Sequence, residues 1–212
     1  TIPNCKSYDP AYGYELAVII ENGLREMYKD KKNYFYYLTV TNERYVQPPK
    51  PKSKDVDSNI IKGMHRISKT KKPQIRLLGS GAILNESIKA AKILSGFAIE
   101  SEVWSVTSFN MLRKDGMEVE NENIKNPSNK AKESFVAESF KEHDIPTVAS
   151  TDYMRAYSEQ IRPYLDSSYY TLGTDGFGRS DSRAKLREFF EVDSKSIVMT
   201  AAYALHREGQ LN

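Results

Sequence analysis

The chain has 212 residues and carries 31 Lys and Arg against 28 Asp and Glu, a formal net charge of +3. A chain of this size can bury a real core without disulfides or metals, and 39% hydrophobic with 28% charged residues is not the composition of a disordered polymer. So small a net charge gives no argument for nucleic acid, and no apolar run approaches the roughly 20 residues needed to cross a bilayer.

The first residues, Thr1-Ile2-Pro3-Asn4, lack both an initiator Met and the basic-then-apolar pattern of a signal peptide. The expectation is a piece of a longer polypeptide. Cys5 is the single cysteine, so no internal disulfide is available and a reducing, cytoplasmic compartment is expected. Residues 12–29 have Leu16, Ile19, Ile20, Gly23, Leu24 and Met27 at helical spacing. Residues 34–41 are aromatic and β-branched and predict a strand. One helix and one strand make no domain alone, and look like the end of one. Pro48, Pro49 and Pro51 among Lys, Ser and Asp give residues 46–58 the composition of a linker. The Lys clusters at 29–32 and 50–54 read as solvated surface and linker rather than a polyanion site.

From Gln74 the pattern alternates. Ile75–Leu78, Val103–Val106, Thr147–Ser150 and Tyr169–Leu172 predict strands, and 83–95, 129–141 and 152–164 predict helices, the last stopping near Pro163. Asp181 or Ser182 is placed to cap a short helix through Phe190, and Asp193 or Ser194 a final one bearing Ile197, Ala201 and Leu205. Alternating β and α elements predict a layered α/β fold with a mostly parallel sheet.

Few residues carry a chemical signal. Gly79-Ser80-Gly81 joins a strand to a helix, but Leu84 stands where a dinucleotide fingerprint needs its third Gly, so a tight turn is the simpler reading. His65, His143 and His206 have no neighbouring ligand at metal spacing, and His206 suits the C-terminal end of its helix. Ser150-Thr151-Asp152-Tyr153 is explained by capping through Thr151 or Asp152. The unusual segment is Gly173 to Arg183, where Gly173, Gly176 and Gly178 share a loop with Asp175, Phe177, Arg179, Ser180, Asp181 and Arg183. It follows a strand and opens a helix, the end of the sheet where α/β proteins put their sites. Two readings stand level: Arg179, Arg183 and the helix-start amides hold an anion, or the arginines and aspartates satisfy one another and fix the loop against a partner subunit.

The same loop, with Leu186-Arg187 and Phe190 to Asp193, resembles the C-terminal domain of homodimeric pyruvate dehydrogenase decarboxylating components. So do Thr1–Cys5, Ser7–Tyr12, Tyr37 with Asn42-Glu43, Leu78–Gly81, Val106–Phe109 and Val148–Tyr153, in the family's order. The resemblance covers nearly the whole chain and is weakest at 46–72 and 120–142. It implies a transketolase C-terminal-like three-layer domain at 73–212, a linker at 45–72, and at 1–44 the last helix and strand of a pyrimidine-binding domain. It also implies a homodimer that decarboxylates pyruvate on thiamine diphosphate and Mg²⁺ and acetylates lipoyl groups of a dihydrolipoyl acetyltransferase core. The cofactor's Gly-Asp-Gly motif is missing: Lys114-Asp115-Gly116 lacks the leading Gly. The resemblance therefore implies that this piece binds no cofactor, supplies no catalytic residue, serves dimer assembly and the surroundings of the active site, and is inactive alone. The alternatives are a stand-alone small-anion-binding module or part of another transketolase-group enzyme.

Overall fold

The computed structural model describes residues 2–211. Its elements are β1 (Cys5–Tyr8), α1 (Gly13–Leu24) with a π-helical extension at Arg25–Lys29, β2 (Phe35–Leu38), α2 (Val56–Lys62), β3 (Met64–Ser68), β4 (Ile75–Gly79) and α3 (Leu84–Ser95). There follow β5 (Ser101–Val106), α4 (Phe109–Lys125), α5 (Phe135–Phe140), β6 (Thr147–Ser150), α6 (Arg155–Ser158) with a 3-10 extension at Glu159–Tyr164, β7 (Tyr169–Leu172), α7 (Arg183–Phe189) and α8 (Ser194–Arg207).

A strand covered on both faces must be buried at every position, and β4 is. It lies at the centre of a five-stranded sheet ordered β3-β5-β4-β6-β7. All pairings are parallel except β3 with β5. The pleat sorts alternate residues to opposite layers. Ile75, Leu77, Val103 and Val148 face α3 and α8, packing on Leu84, Ala90, Leu94, Ile197, Ala201 and Leu205. Leu78, Trp104, Val106 and Ala149 face the other way, onto Phe109 and Leu112 of α4 and Val136 and Phe140 of α5. The result is the expected three-layer α/β arrangement. Arg76 also faces this second layer, 1% exposed. Its guanidinium stacks 3.9 Å from the centre of the Phe140 ring and donates to Glu102 and to the His143 carbonyl, which is what makes the buried charge tolerable.

A second, two-stranded parallel sheet pairs β1 with β2, flanked by α1. The polar sequence of β1 hides it from a search for apolar runs. Tyr8, Ile19, Val56 and Ile60 join this sheet, α1 and α2 in a third core.

Several elements differ from expectation. The stretch read as linker holds α2 and β3, because Val56 and Ile60 are buried amid polar residues and Met64 pairs with Val106 at the sheet edge. The long helix α4 escapes the periodicity: it buries only Phe109, Leu112 and Gly116, too few to show a stripe. The helix expected at 129–141 shrinks to α5, starting at a Ser134 cap whose side chain accepts from Ala137 N. The helix expected at 152–164 divides into α6 and its tighter extension around Pro163, which supplies no backbone donor. Thr151 and Asp152 do not cap it; Met154 holds that position without a side-chain bond, and Thr151 Oγ1 accepts instead from Tyr153 N at 3.2 Å.

Candidate functional site

Parallel sheets present ligand crevices at the carboxyl ends of their strands, where neighbouring strands are reached in opposite directions. In this topology the crevice lies above β4, between β5 and β6. Asp9, just after β1, fills it. Its N–H donates to the Thr107 carbonyl at 2.7 Å, and its carbonyl accepts from Gly81 N at 3.1 Å. Its carboxylate accepts from Thr39 Oγ1 at 2.7 Å and from Tyr157 OH at 2.9 Å. Burial raises the Asp9 carboxyl above its ordinary value against those hydrogen bonds, and burial, then the Asp9 charge, pushes the Tyr153 hydroxyl up to about 12. The turn below is tight: a Cβ on Gly79 would lie 2.5 Å from Leu84 Cα, which is why glycine stands there.

The crevice is taken by Asp9, and among the described residues no group of three or more His, Cys, Asp or Glu is placed to hold a metal ion. Lys114-Asp115-Gly116 lies inside α4. There Asp115 Oδ2 accepts from Phe135 N at 2.6 Å, and Gly116 lets the Tyr164 ring pack on the helix.

The 173–183 loop neighbours this crevice, and its charged residues mostly look outward for partners. Asp175 accepts from Arg155 N at 3.0 Å and Arg155 Nε at 2.8 Å, bonds that hold its carboxyl below the usual range. Asp181 accepts from the next amide, Ser182 N, at 2.6 Å. Ser182 caps α7, accepting from Lys185 N. Arg183 donates to Asn42 Oδ1, and Arg187, one turn on, donates to Glu43 Oε2 at 2.5 Å. That hydrogen bond lowers the Glu43 carboxyl; for Arg187, burial works downward but Glu43 prevails and raises it. Arg179 has only the Phe189 ring, 5.3 Å away, and no ion pair among the described residues. Phe177 is 94% exposed, and Ser180 is exposed beside it. The loop is thus not the closed Arg/Asp network that its composition suggested. Arg183 of the loop and Arg187 beyond it reach Asn42 and Glu43 across a groove of about 560 Å³.

The other buried polar cluster joins α1 to the large sheet. Glu15, wholly buried, accepts through Oε1 from Ser105 Oγ and bonds His65 Nε2, each at 2.6 Å. Its Oε2 accepts from Ala11 N at 2.6 Å and Tyr12 N at 3.0 Å. His65 Nδ1 is buried without a partner. His65 thus ties β3 to α1 through Glu15. His206, near the end of α8, bonds the Leu211 carbonyl at 3.0 Å through Nδ1. Sequence reasoning did not single out Asp9, Glu15 or Arg155. Each looks ordinary locally: Glu15, three residues after the N-cap Tyr12, accepts from the Tyr12 amide as a capping box does, but without the Ser or Thr that would announce one in the sequence.

Residues 63–193 match the model of the transketolase-like TK C-terminal domain, and residues 1–48 that of the pyruvate dehydrogenase E1 component middle domain. The chain is 52% identical to the pyruvate dehydrogenase E1 component of Pseudomonas aeruginosa, and the match takes in 100% of the chain and 24% of that protein. Identity to the same component of Cupriavidus necator is 47%, and of Escherichia coli 44%, again over 24% of each. The chain thus spans about a quarter of the length of the curated relatives it matches. Among solved structures, transketolase from Pichia stipitis (H261F mutant) superposes with a TM-score of 0.68 at 15% identity, covering 99% of this chain and 26% of that one. A split-gene transketolase described as an inactive β4 tetramer has a TM-score of 0.60 at 12% identity, covering 96% of this chain and 59% of that one. These two show the fold.

Proposed function

Because the chain belongs to the family of transketolase-like C-terminal domains, entered from a segment of the pyruvate dehydrogenase E1 middle-domain type, we infer that it is the C-terminal part of a pyruvate dehydrogenase (acetyl-transferring) subunit. The whole protein decarboxylates pyruvate on thiamine diphosphate and Mg²⁺ and reductively acetylates lipoyl groups of a dihydrolipoyl acetyltransferase core, as a cytoplasmic homodimer. The observation that carries this reading is 42–52% identity along essentially the whole chain to proteins named for that component. The two solved transketolases compared above share only 15% and 12% identity with the chain, which favours the E1 component over another transketolase-group enzyme.

The role of this part is architectural. The cofactor is held elsewhere in the protein, since the switch-point crevice is filled by Asp9 and the chemistry of such enzymes resides in the cofactor. Residues 1–44 are the end of the pyrimidine-binding domain, and the loop bearing Asp175, Phe177, Arg179, Ser180, Asp181 and Arg183 serves assembly or the edge of the substrate channel. The isolated chain is inactive. An antibody against the chain, used on lysate of the source cell, tests this. The expected band is several times heavier than 24.2 kDa, and the precipitate turns over pyruvate with added thiamine diphosphate while the purified chain does not. A band at the mass of the chain itself, with no pyruvate turnover, refutes it and brings forward the small-anion-binding module.

A further inference from the structure

The groove between residues 40–43 and α7 adjoins the loop proposed above for assembly or the channel edge, and its own chemistry can be judged without that proposal. Its volume is about 560 Å³, within the range of small-molecule sites. Arg179, Arg183 and Arg187 all line it. Arg187 is committed: it is nearly enclosed and holds Glu43 at 2.5 Å and Glu86 at 3.4 Å. That leaves two guanidiniums facing open volume. Arg183 is exposed, touches Asn42 and stands 3.8 Å from a Glu43 oxygen already taken by Arg187. Arg179 has no carboxylate partner among the described residues. Asp152 is the one lining carboxylate without an ion pair, so the unpaired charge is one net positive. Leu186, Phe190, Val40 and Val192 give the rest of the wall an apolar part, beside the polar Thr41, Asn42 and Thr174.

We propose that this groove is a binding site for a small organic phosphate, its phosphate taken by Arg179 and Arg183 and its apolar body laid on Leu186 and Phe190. Forked guanidinium donors suit a phosphate better than any single ammonium. The site does not use the start of α7, whose first-turn amide is already engaged by Ser182. Residues on both sides of it come from parts of the chain about 140 positions apart, Asn42 and Arg183 being separated by 141, so it exists only when the two sheets are docked.

The test uses the protein as its source makes it, with thiamine diphosphate in excess so that any cofactor site is saturated. Phenyl phosphate is titrated calorimetrically and is expected to bind more tightly than inorganic phosphate. Arg179→Ala with Arg183→Ala should weaken it by at least about tenfold, Arg183→Lys should recover only part, and the remote Arg207→Ala should change nothing. Should the double variant misfold, the unaltered protein still decides: phenyl phosphate must shield Arg179 and Arg183, but not Arg207, from phenylglyoxal, read by peptide mass. Equal labelling with and without phenyl phosphate overturns the proposal. So does shielding by an oligo-aspartate peptide but not by phenyl phosphate, which would make the groove a peptide-docking surface.

Discussion

Replacing Glu15 by Ala strips the bridge between α1 and the large sheet of its only acceptor. Four donors meet its carboxylate: the amides of Ala11 and Tyr12, the Ser105 hydroxyl and His65 Nε2. All lie in a fully buried site, Glu15 at 0% and His65 and Ser105 at 1% exposure. A buried donor left without a partner costs about 1–3 kcal/mol, and four such donors set a floor near 4 kcal/mol. Water entering the space vacated by the side chain offsets part of this, so the expected loss is about 3–5 kcal/mol, as when one member of a buried charged cluster is removed. That is a large fraction of the roughly 5–15 kcal/mol that holds a domain folded. For a chain of this length it lowers the melting temperature by on the order of 10 °C. Glu15→Gln should cost less, because its amide oxygen still serves the two backbone donors and the Ser105 hydroxyl can turn to accept. Urea unfolding of both variants measures the losses, and a double-mutant cycle of Glu15→Gln with His65→Gln measures their coupling, expected to exceed about 1 kcal/mol. A Glu15→Ala protein within about 1 kcal/mol of the parent would show that the cluster is not a bridge and refute the reasoning.

Other sites make separate predictions. Gly116→Ala should destabilise by about 1–3 kcal/mol by overpacking, since the new Cβ collides with the Tyr164 ring; the double change with Tyr164→Leu should recover most of the loss, both read by thermal melts. Glu102→Ala, which strands the buried Arg76 guanidinium, should cost about 3–5 kcal/mol, whereas Glu142→Ala, which removes a surface partner of Arg66 and Lys69, should leave the unfolding curve nearly unchanged. Arg187 depresses the Glu43 carboxyl, so their pairing contributes stability that is full above the ordinary glutamate value and is lost as pH falls through the lower, folded one. Acid unfolding should therefore steepen below about pH 4.5 in the parent and less so in Glu43→Gln; identical acid profiles would remove Glu43 from the account.

Much of the large sheet was legible because its central strands are buried on both faces. Ile75–Leu78 and Thr147–Ser150 read as strands without knowledge of their neighbours. The last helix was equally plain: Asp193 caps it through Ser196 N at 3.0 Å, and Ile197, Ala201 and Leu205 repeat at four-residue spacing. What escaped were elements whose stability is lent by contact: β1, polar and paired with β2; α2 and β3 inside apparent linker; α4, with little of its face buried. Local sequence also singled out 173–183 as the most crowded loop, since glycine, arginine and aspartate betray a special backbone and charge wherever they gather. It could not name their partners. Arg155 is 20 positions from Asp175, Asn42 is 141 from Arg183, and Glu43 is 144 from Arg187. The same holds for the switch-point crevice, which strand order creates and Asp9 fills. Periodicity is a property of neighbours along the chain and so determined the helices and strands that bury a face of their own; the elements stabilised by contact and the meeting of distant charges depend on how the sheets dock, and only the tertiary structure decided them.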